Sequence, residues 1–146
     1  MPQSVSRDQQ VFRSLCTMLG RWQDTDETQT VLVDYRMSAN GSVLVETWDW
    51  PDREIEALTL YHLDAGALMA THYCPIGNQP RLALRSGDAD KFVFDFVSAT
   101  NLPDPTTDHN TEFWFRLDGP TSFTRSETYL DAGKLHTQER TYRRLE

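Results

Sequence analysis

The sequence lacks a set of disulfide bonds, the feature that stabilises many small proteins whose hydrophobic core is insufficient. Its 146 residues include only two cysteines, Cys16 and Cys74, which excludes a framework of disulfide bonds. No apolar run approaches the roughly 20 residues of a membrane-spanning helix, and the polar first ten residues do not begin a signal peptide. We therefore expect a soluble, cytoplasmic protein with reduced thiols and no membrane partner.

Basic residues are also scarce. The 14 Lys and Arg residues face 22 Asp and Glu residues, so the net charge is −8. Because nucleic-acid binding needs a basic stripe that neutralises phosphates, we expect no nucleic-acid partner. Aromatic residues reach 11% although hydrophobic residues total only 38%, a composition that favours a thin β-wall around a cavity. The length predicts a single domain over residues 1–146.

One amphipathic helix is predicted near the N-terminus. Ser6 and Gln9 form a capping-box pattern. The apolar residues that follow share one helical face: Val11, Phe12, Leu15, Cys16 and Leu19. Gly20 is a stop signal, so the helix is predicted over residues 8–19.

Beyond Gly20 the apolar residues alternate with a period of two between turn signals. Ten strands are predicted, over residues 21–26, 28–37, 42–50, 55–62, 67–74, 79–86, 91–98, 111–117, 122–130 and 135–143. Asn40-Gly41 is typical of a two-residue hairpin turn with positive φ. A series of consecutive hairpins predicts an all-β fold, a ten-stranded antiparallel up-and-down barrel that closes its own edges.

The last predicted hairpin indicates what faces the barrel interior. If Leu130 pairs with Leu135, the residues beyond that pair on one face are Thr124, Ser126, Thr128, Thr137, Glu139 and Thr141, so this face belongs to solvent. The opposite face then points inward and carries Phe123, Arg125, Glu127, Tyr129, His136, Gln138, Arg140 and Tyr142. Buried charges need partners or water. Either Glu127 forms an ion pair with Arg125 or Arg140, or the barrel holds a polar cavity, and both can be true.

The segment over residues 71–81 carries the richest set of polar and reactive side chains. Pairing Leu63 with Ala67 turns one face inward: Leu58, Leu60, His62, Leu68, Ala70, His72 and Cys74. A register slip of one residue would invert this assignment. The turn that follows holds Asn78, Gln79 and Arg81, which either bind the polar end of a ligand or stabilise the turn.

The N-terminal helix, the Gly20-Arg21-Trp22 sequence and about ten meandering strands ending in an arginine together resemble the calycin superfamily. That group includes lipocalins, fatty-acid-binding proteins and nitrobindin-like haem barrels. The run over residues 71–81 is similar to that of small bacterial calycin-like proteins. The resemblance implies a barrel that binds a small, largely apolar ligand. It also implies that Trp22 packs across the barrel base against an arginine such as Arg140 or Arg143.

We therefore expect the chain to bind a small, partly apolar organic ligand inside the barrel, without a resident cofactor or metal. Its apolar wall is predicted to comprise Phe92, Phe94, Phe96, Phe113 and Phe115. Its polar end is predicted to comprise His72, Cys74, Asn78, Gln79, Arg81, Arg125, Glu127, His136 and Arg140.

Other functions fit the same residues. A haem enzyme is implied by the nitrobindin-like resemblance, with His136 as the only ligand candidate by position. A cofactor-free isomerase or cyclase would use His72 and Glu127. A zinc site would need His62, His72 and Cys74 to converge. A nucleophilic Cys74 activated by His72 is disfavoured, since alternate side chains on a strand lie roughly 7 Å apart. A homodimer or partner-binding role would use exposed aromatics such as Tyr61, Tyr73 and Trp114.

Overall fold

The computed structural model describes residues 5–88 and 90–145. Ten antiparallel strands form a closed barrel in which each strand pairs with the next in sequence and the first pairs with the last. This confirms the predicted fold class. The elements are α1 (Arg7–Leu15), a 3-10 turn (Cys16–Met18), β1 (Gly20–Asp24), β2 (Leu32–Ser38), β3 (Val43–Trp50), β4 (Ile55–Asp64), β5 (Ala67–Tyr73), β6 (Gln79–Gly87), β7 (Lys91–Thr100), β8 (His109–Gly119), β9 (Ser122–Asp131) and β10 (Lys134–Arg144).

Helix α1 begins at the predicted capping box. The Ser6 hydroxyl accepts from the Gln9 backbone N–H, and the Gln9 side chain accepts from the Ser6 N–H. The helix buries Val11 and Leu15 against the barrel, and the Asp8 carboxylate accepts a 2.7 Å bond from the Leu68 backbone N–H. The α-helix ends at Leu15 and a 3-10 turn continues to Met18, slightly short of the predicted residue 19. None of the helices in the described residues has the length and apolar character needed to cross a membrane.

The helix and the 3-10 turn cover one end of the barrel, here called the closed end. Trp22 is buried there and its indole N–H donates to the Met18 carbonyl at 2.8 Å. The Arg144 guanidinium lies over the Trp22 ring at 4.3 Å. The predicted partners Arg140 and Arg143 are therefore wrong. Arg143 points outward by strand alternation. Arg140 lies four residues before Arg144 on β10, nearer the opposite end of the barrel.

The closed half of the barrel is solid. Its largest fully buried side chains are mostly aromatic: Trp22, Tyr35, Tyr61, Phe92, Phe94, Phe113, Phe115 and Phe123. The Phe94 and Phe113 rings stack with centroids 4.9 Å apart. Full burial of each such ring contributes on the order of 2–3 kcal/mol. The predicted phenylalanine wall is therefore core packing, while Phe96 is half-buried against His109 at 4.9 Å.

The β4–β5 hairpin differs in register from the prediction. Ala65 and Gly66 have φ values of 49° and 90°, so they form a two-residue turn that pairs Leu63 with Leu68. On β4 the inward residues are consequently Ala57, Thr59 and Tyr61, the opposite of the predicted set. On β5 the predicted inward set is kept, and Leu68, Ala70 and His72 are buried.

The other two hairpin predictions have different outcomes. At β9–β10, Leu130 pairs with Leu135 as predicted. At β2–β3, Ser38 pairs with Val43, so Asn40-Gly41 belongs to a four-residue loop rather than a two-residue turn. Ala39, Asn40 and Gly41 all have positive φ in that loop.

Candidate functional site

A cavity of about 380 Å³ occupies the end of the barrel opposite the helix, here called the open end. This volume is within the range of small-molecule sites, about 300–1,000 Å³. Its lining is partly apolar and aromatic, namely Val31, Trp48, Trp50, Ile55, Pro75, Ile76, Tyr129 and Tyr142. The rest of its lining is polar, namely Gln29, Arg53, Cys74, Arg125, Glu127, Gln138 and Arg140.

A buried ion pair forms the floor of the cavity. Glu46 is fully buried on β3, where strand alternation turns it inward. Its carboxylate accepts bonds from the Arg125 guanidinium at 2.9 Å, from the Tyr61 hydroxyl at 2.7 Å and from the Tyr35 hydroxyl at 2.8 Å. The Trp48 indole N–H also donates to it. Burial alone would raise the pKa of Glu46, but Arg125 and these donors hold it below its usual value.

Arg125 is fixed by aromatic rings as well as by Glu46. Its guanidinium lies 4.1 Å from the Phe113 ring centroid and 4.2 Å from that of Phe115. Its buried Nε has no hydrogen-bond partner among the described residues, and it faces the Glu127 carboxylate at 3.5 Å. Arg125 therefore gives its short, charge-assisted bonds to Glu46 and contacts Glu127 more weakly.

Among the residues that the structure describes, Glu127 is the only carboxylate that lines the cavity. It lies two residues beyond Arg125 on β9, so the pleat turns both side chains inward. Its side chain keeps 28% of its surface accessible, whereas Arg125 keeps 3%. Burial among the cavity walls raises the pKa of Glu127, and the neighbouring Arg125 charge only partly opposes that effect. Both possibilities raised by the sequence hold, because Glu127 pairs with Arg125 and also faces a polar cavity.

A second buried ion pair closes the barrel seam beside the cavity. Arg140 on β10 donates to the Asp24 carboxylate at 2.9 Å and to Asp26 at 3.3 Å. Gln29 and Gln138 can each turn their amide oxygens toward the same guanidinium. The Arg140 charge is therefore already matched by two carboxylates of the chain itself.

His72 lies behind the cavity wall. Its Nδ1 is 2.9 Å from the Thr59 hydroxyl and its Nε2 is 3.3 Å from the Tyr129 hydroxyl. Burial lowers the pKa of His72 to about 4, so the imidazole is neutral at pH 7. Burial also raises the pKa of the Cys74 thiol, which lies beside Tyr129 and lines the cavity. Cys74 is accordingly a thiol at neutral pH, without the thiolate character of a nucleophile.

Four of the predicted site residues meet at the cavity: Cys74, Arg125, Glu127 and Arg140. His72 does not line the cavity, and it contacts the hydroxyl of Tyr129, which does. Phe94 belongs to the solid core and Phe96 packs outside the cavity lining.

The remaining predicted residues serve the turn or the outer wall. The Asn78 amide donates to the Asp108 carbonyl at 2.8 Å, and the Gln79 amide donates to the Gly77 carbonyl at 3.3 Å. Arg81 points outward and donates to the Ser98 and Thr100 hydroxyls. His136 is exposed and does not line the cavity, which corrects its predicted inward position. It pairs with Tyr129 near the hairpin tip, beyond the enclosed part of the barrel.

The structure does not bring together the residues of the zinc site or of the haem site that the sequence left open. His62 lies on the outer face of β4, away from His72 and Cys74, so the zinc trio does not converge. Within the described parts of the chain, no three His, Cys, Asp or Glu side chains are grouped closely enough to hold a metal ion. Haem does not fit the cavity as the resemblance implied, because no histidine lines it and His136 lies outside.

Sequence reasoning missed several cavity residues. Trp48 and Trp50 were not among the predicted site residues, yet both line the cavity. Trp48 and Trp50 share one face of β3 with Glu46. This pattern could have identified them as lining residues, since a carboxylate on the inward face of a strand indicates a polar interior. Asp24 carries no comparable signal, because its partner Arg140 lies 116 positions further along the chain.

No protein-family model matches the chain, and no curated protein sequence matches it. The function is therefore argued from the cavity itself.

Proposed function

We propose that this protein binds a small, partly apolar organic molecule in the open-end cavity. The observation that carries the proposal is the cavity of about 380 Å³, whose wall combines aromatic faces with an inward-facing carboxylate. Ligand sites are usually concave, largely apolar and supplied with a few convergent polar groups. The volume suits one or two rings.

The barrel also supports a calycin-like assignment, which we include in the proposal. The supporting features are the closed ten-stranded barrel, the N-terminal helix and the Trp22–Arg144 contact at the closed end. These features concern architecture, and the choice of ligand depends on the cavity.

The construction of the wall favours binding over a purely structural role. A core without function is expected to pack solidly, as the closed half of this barrel does. The open half instead keeps its aromatic rings at the edge of a cavity and leaves Glu127 facing into it. Burying a carboxylate costs stability unless it is closely paired, and the contact of Glu127 with Arg125 is long, at 3.5 Å.

A cavity-filling variant tests the proposal. Val31, just before β2, lines the cavity, and Leu32, the first residue of β2, points to the outer side. Val31→Trp should weaken binding of the neutral dye N-phenyl-1-naphthylamine at least tenfold, while Leu32→Trp should leave it unchanged. The measurement is fluorescence titration of the dye, with circular dichroism to confirm that each variant is folded. Equal dye affinity in a folded Val31→Trp variant and the wild type would show that the cavity is not the binding site.

A further inference from the structure

The charged side chains around the cavity differ in whether a close partner in the chain already neutralises them. Arg125 is matched by Glu46 at 2.9 Å, and Arg140 is matched by Asp24 at 2.9 Å and by Asp26 at 3.3 Å. Glu127 has no comparably short ion pair, since Arg125 Nε is 3.5 Å away. Because the Asp26 side chain is 45% exposed, water screens its charge, and the enclosed carboxylates are Glu46, Asp24 and Glu127. Three enclosed carboxylates therefore surround two guanidinium groups.

The third lining cation does not reverse this balance. Arg53 ends another 3-10 turn (Pro51–Arg53) at the mouth of the cavity, and it is exposed to solvent. Its charge is therefore screened by water, whereas Glu127 lies among aromatic walls where electrostatic attraction is stronger. The interior of the cavity remains negative, with its accessible charge on Glu127.

The aromatic walls favour the same ligand charge. Trp48 and Trp50 stack with an interplanar angle of 20°, and Tyr129 and Tyr142 also line the cavity. The faces of aromatic rings carry negative electrostatic potential, and they attract ammonium groups in desolvated sites. Aromatic rings beside one carboxylate form a suitable site for an organic cation.

We propose that the cavity takes a small arylalkyl amine, with its ammonium group donating to Glu127 and its ring packing against Trp48 and Trp50. This inference rests on the proposed function, because it names the ligand class of the same cavity. The net charge of −8 on the whole chain adds to the selection, since it draws cations toward the protein.

Three probes that differ in charge test the ligand class: 2-phenylethylamine, 3-phenylpropan-1-ol and 3-phenylpropionate. Isothermal titration calorimetry or ligand-induced shifts in a two-dimensional NMR spectrum gives the affinity of each at pH 7.5. We expect the amine to bind at least tenfold more tightly than the alcohol, and the carboxylate to bind most weakly. The Glu127→Gln variant should lose at least tenfold in affinity for the amine and keep its affinity for the alcohol.

Glu139→Gln is the matched control, because it removes the same charge from the outer face of β10. It should preserve the order of the three probes. If the carboxylate binds as tightly as the amine, or if Glu127→Gln weakens the alcohol and the amine equally, the amine preference is overturned while small-molecule binding stands. If none of the three probes binds and the neutral dye also fails to bind, the proposed function falls together with this inference.

Discussion

At the scale of single residues, two glutamates of one cavity have opposite environments. Glu46 is enclosed by Arg125, two tyrosine hydroxyls and an indole N–H, so its pKa lies below its usual value. Burial raises the pKa of Glu127, and its contacts with Arg125 at 3.5 Å and with the Tyr129 hydroxyl only partly oppose this effect. Donors and charge determine which carboxylate is structural and which is left for a ligand.

The Glu46–Arg125 pair should be strongly coupled in stability. Glu46→Gln leaves the Arg125 charge buried without its counter-charge, and we expect a loss of about 3–5 kcal/mol in the free energy of unfolding. The double variant Glu46→Gln with Arg125→Met removes that charge and should recover most of the loss. Urea unfolding of the single and double variants measures the coupling. Additive losses in the double variant would contradict the ion-pair account.

His72 should make the stability depend on pH. Its pKa is about 4 in the folded protein and about 6.5 when unfolded, so the unfolded chain binds the extra proton first as pH falls. Its contribution is complete above pH 6.5 and is lost progressively down to pH 4, by up to about 3 kcal/mol. The groups facing it are Thr59 and Tyr129, with the opposite charges of Glu46 and Arg125 nearby.

The check is urea unfolding of the wild type and His72→Gln at pH 7, 6, 5 and 4.5. The difference in free energy between the two proteins should shift in favour of the variant as pH falls. Parallel pH profiles would mean that His72 does not carry this dependence.

At the scale of elements, the turns set which face of each strand is buried. Ala65-Gly66 and Ala132-Gly133 are both two-residue hairpin turns with positive φ at each position. The β9–β10 register could be predicted from sequence, because beyond the Leu130–Leu135 pair one face of that hairpin carries only Thr, Ser and Glu. The β4–β5 register could not, because Leu58 and Leu60 on one face compete with Ala57 and Tyr61 on the other. Where both faces of a strand carry apolar residues, the length of the turn determines the register.

The alanines in these turns suggest a stabilising change. Ala65 has φ of 49°, a conformation that is strained for alanine and readily adopted by asparagine. Ala65→Asn should therefore raise the free energy of unfolding by about 0.5–1 kcal/mol. Ala67→Asn, placed at the start of the adjacent strand, is the control and should give no gain. A urea midpoint that is unchanged in Ala65→Asn would contradict the assigned turn.

At the scale of the whole molecule, closure of the barrel joins residues that are far apart in sequence. Asp24 meets Arg140 across the β1–β10 seam, and Glu46 meets Arg125 across the interior. The sequence predicted Arg125, Glu127 and Arg140 as inward residues, but it could not supply Glu46 and Asp24, the shortest partners of the two arginines. Alternation gives the inward face of a strand and not the depth of a residue along the barrel. The phenylalanine wall was misplaced for that reason, since Phe94 and Phe113 lie on the predicted face in the solid half.

The central claim is that a ligand binds in the hollow half of the barrel, at the open end, and not in the solid half. Each of the four tryptophans reports on a different place: Trp48 and Trp50 line the cavity, Trp22 lies at the closed end, and Trp114 lies on the outer wall beneath Lys91.

The most direct measurement is the set of four indole N–H signals in a two-dimensional nitrogen–proton NMR spectrum, assigned with single Trp→Phe variants. Adding saturating N-phenyl-1-naphthylamine should shift the Trp48 and Trp50 signals and leave those of Trp22 and Trp114 in place. Shifts confined to Trp22 or Trp114, or no shift in any of the four signals, would contradict ligand binding in the open-end cavity.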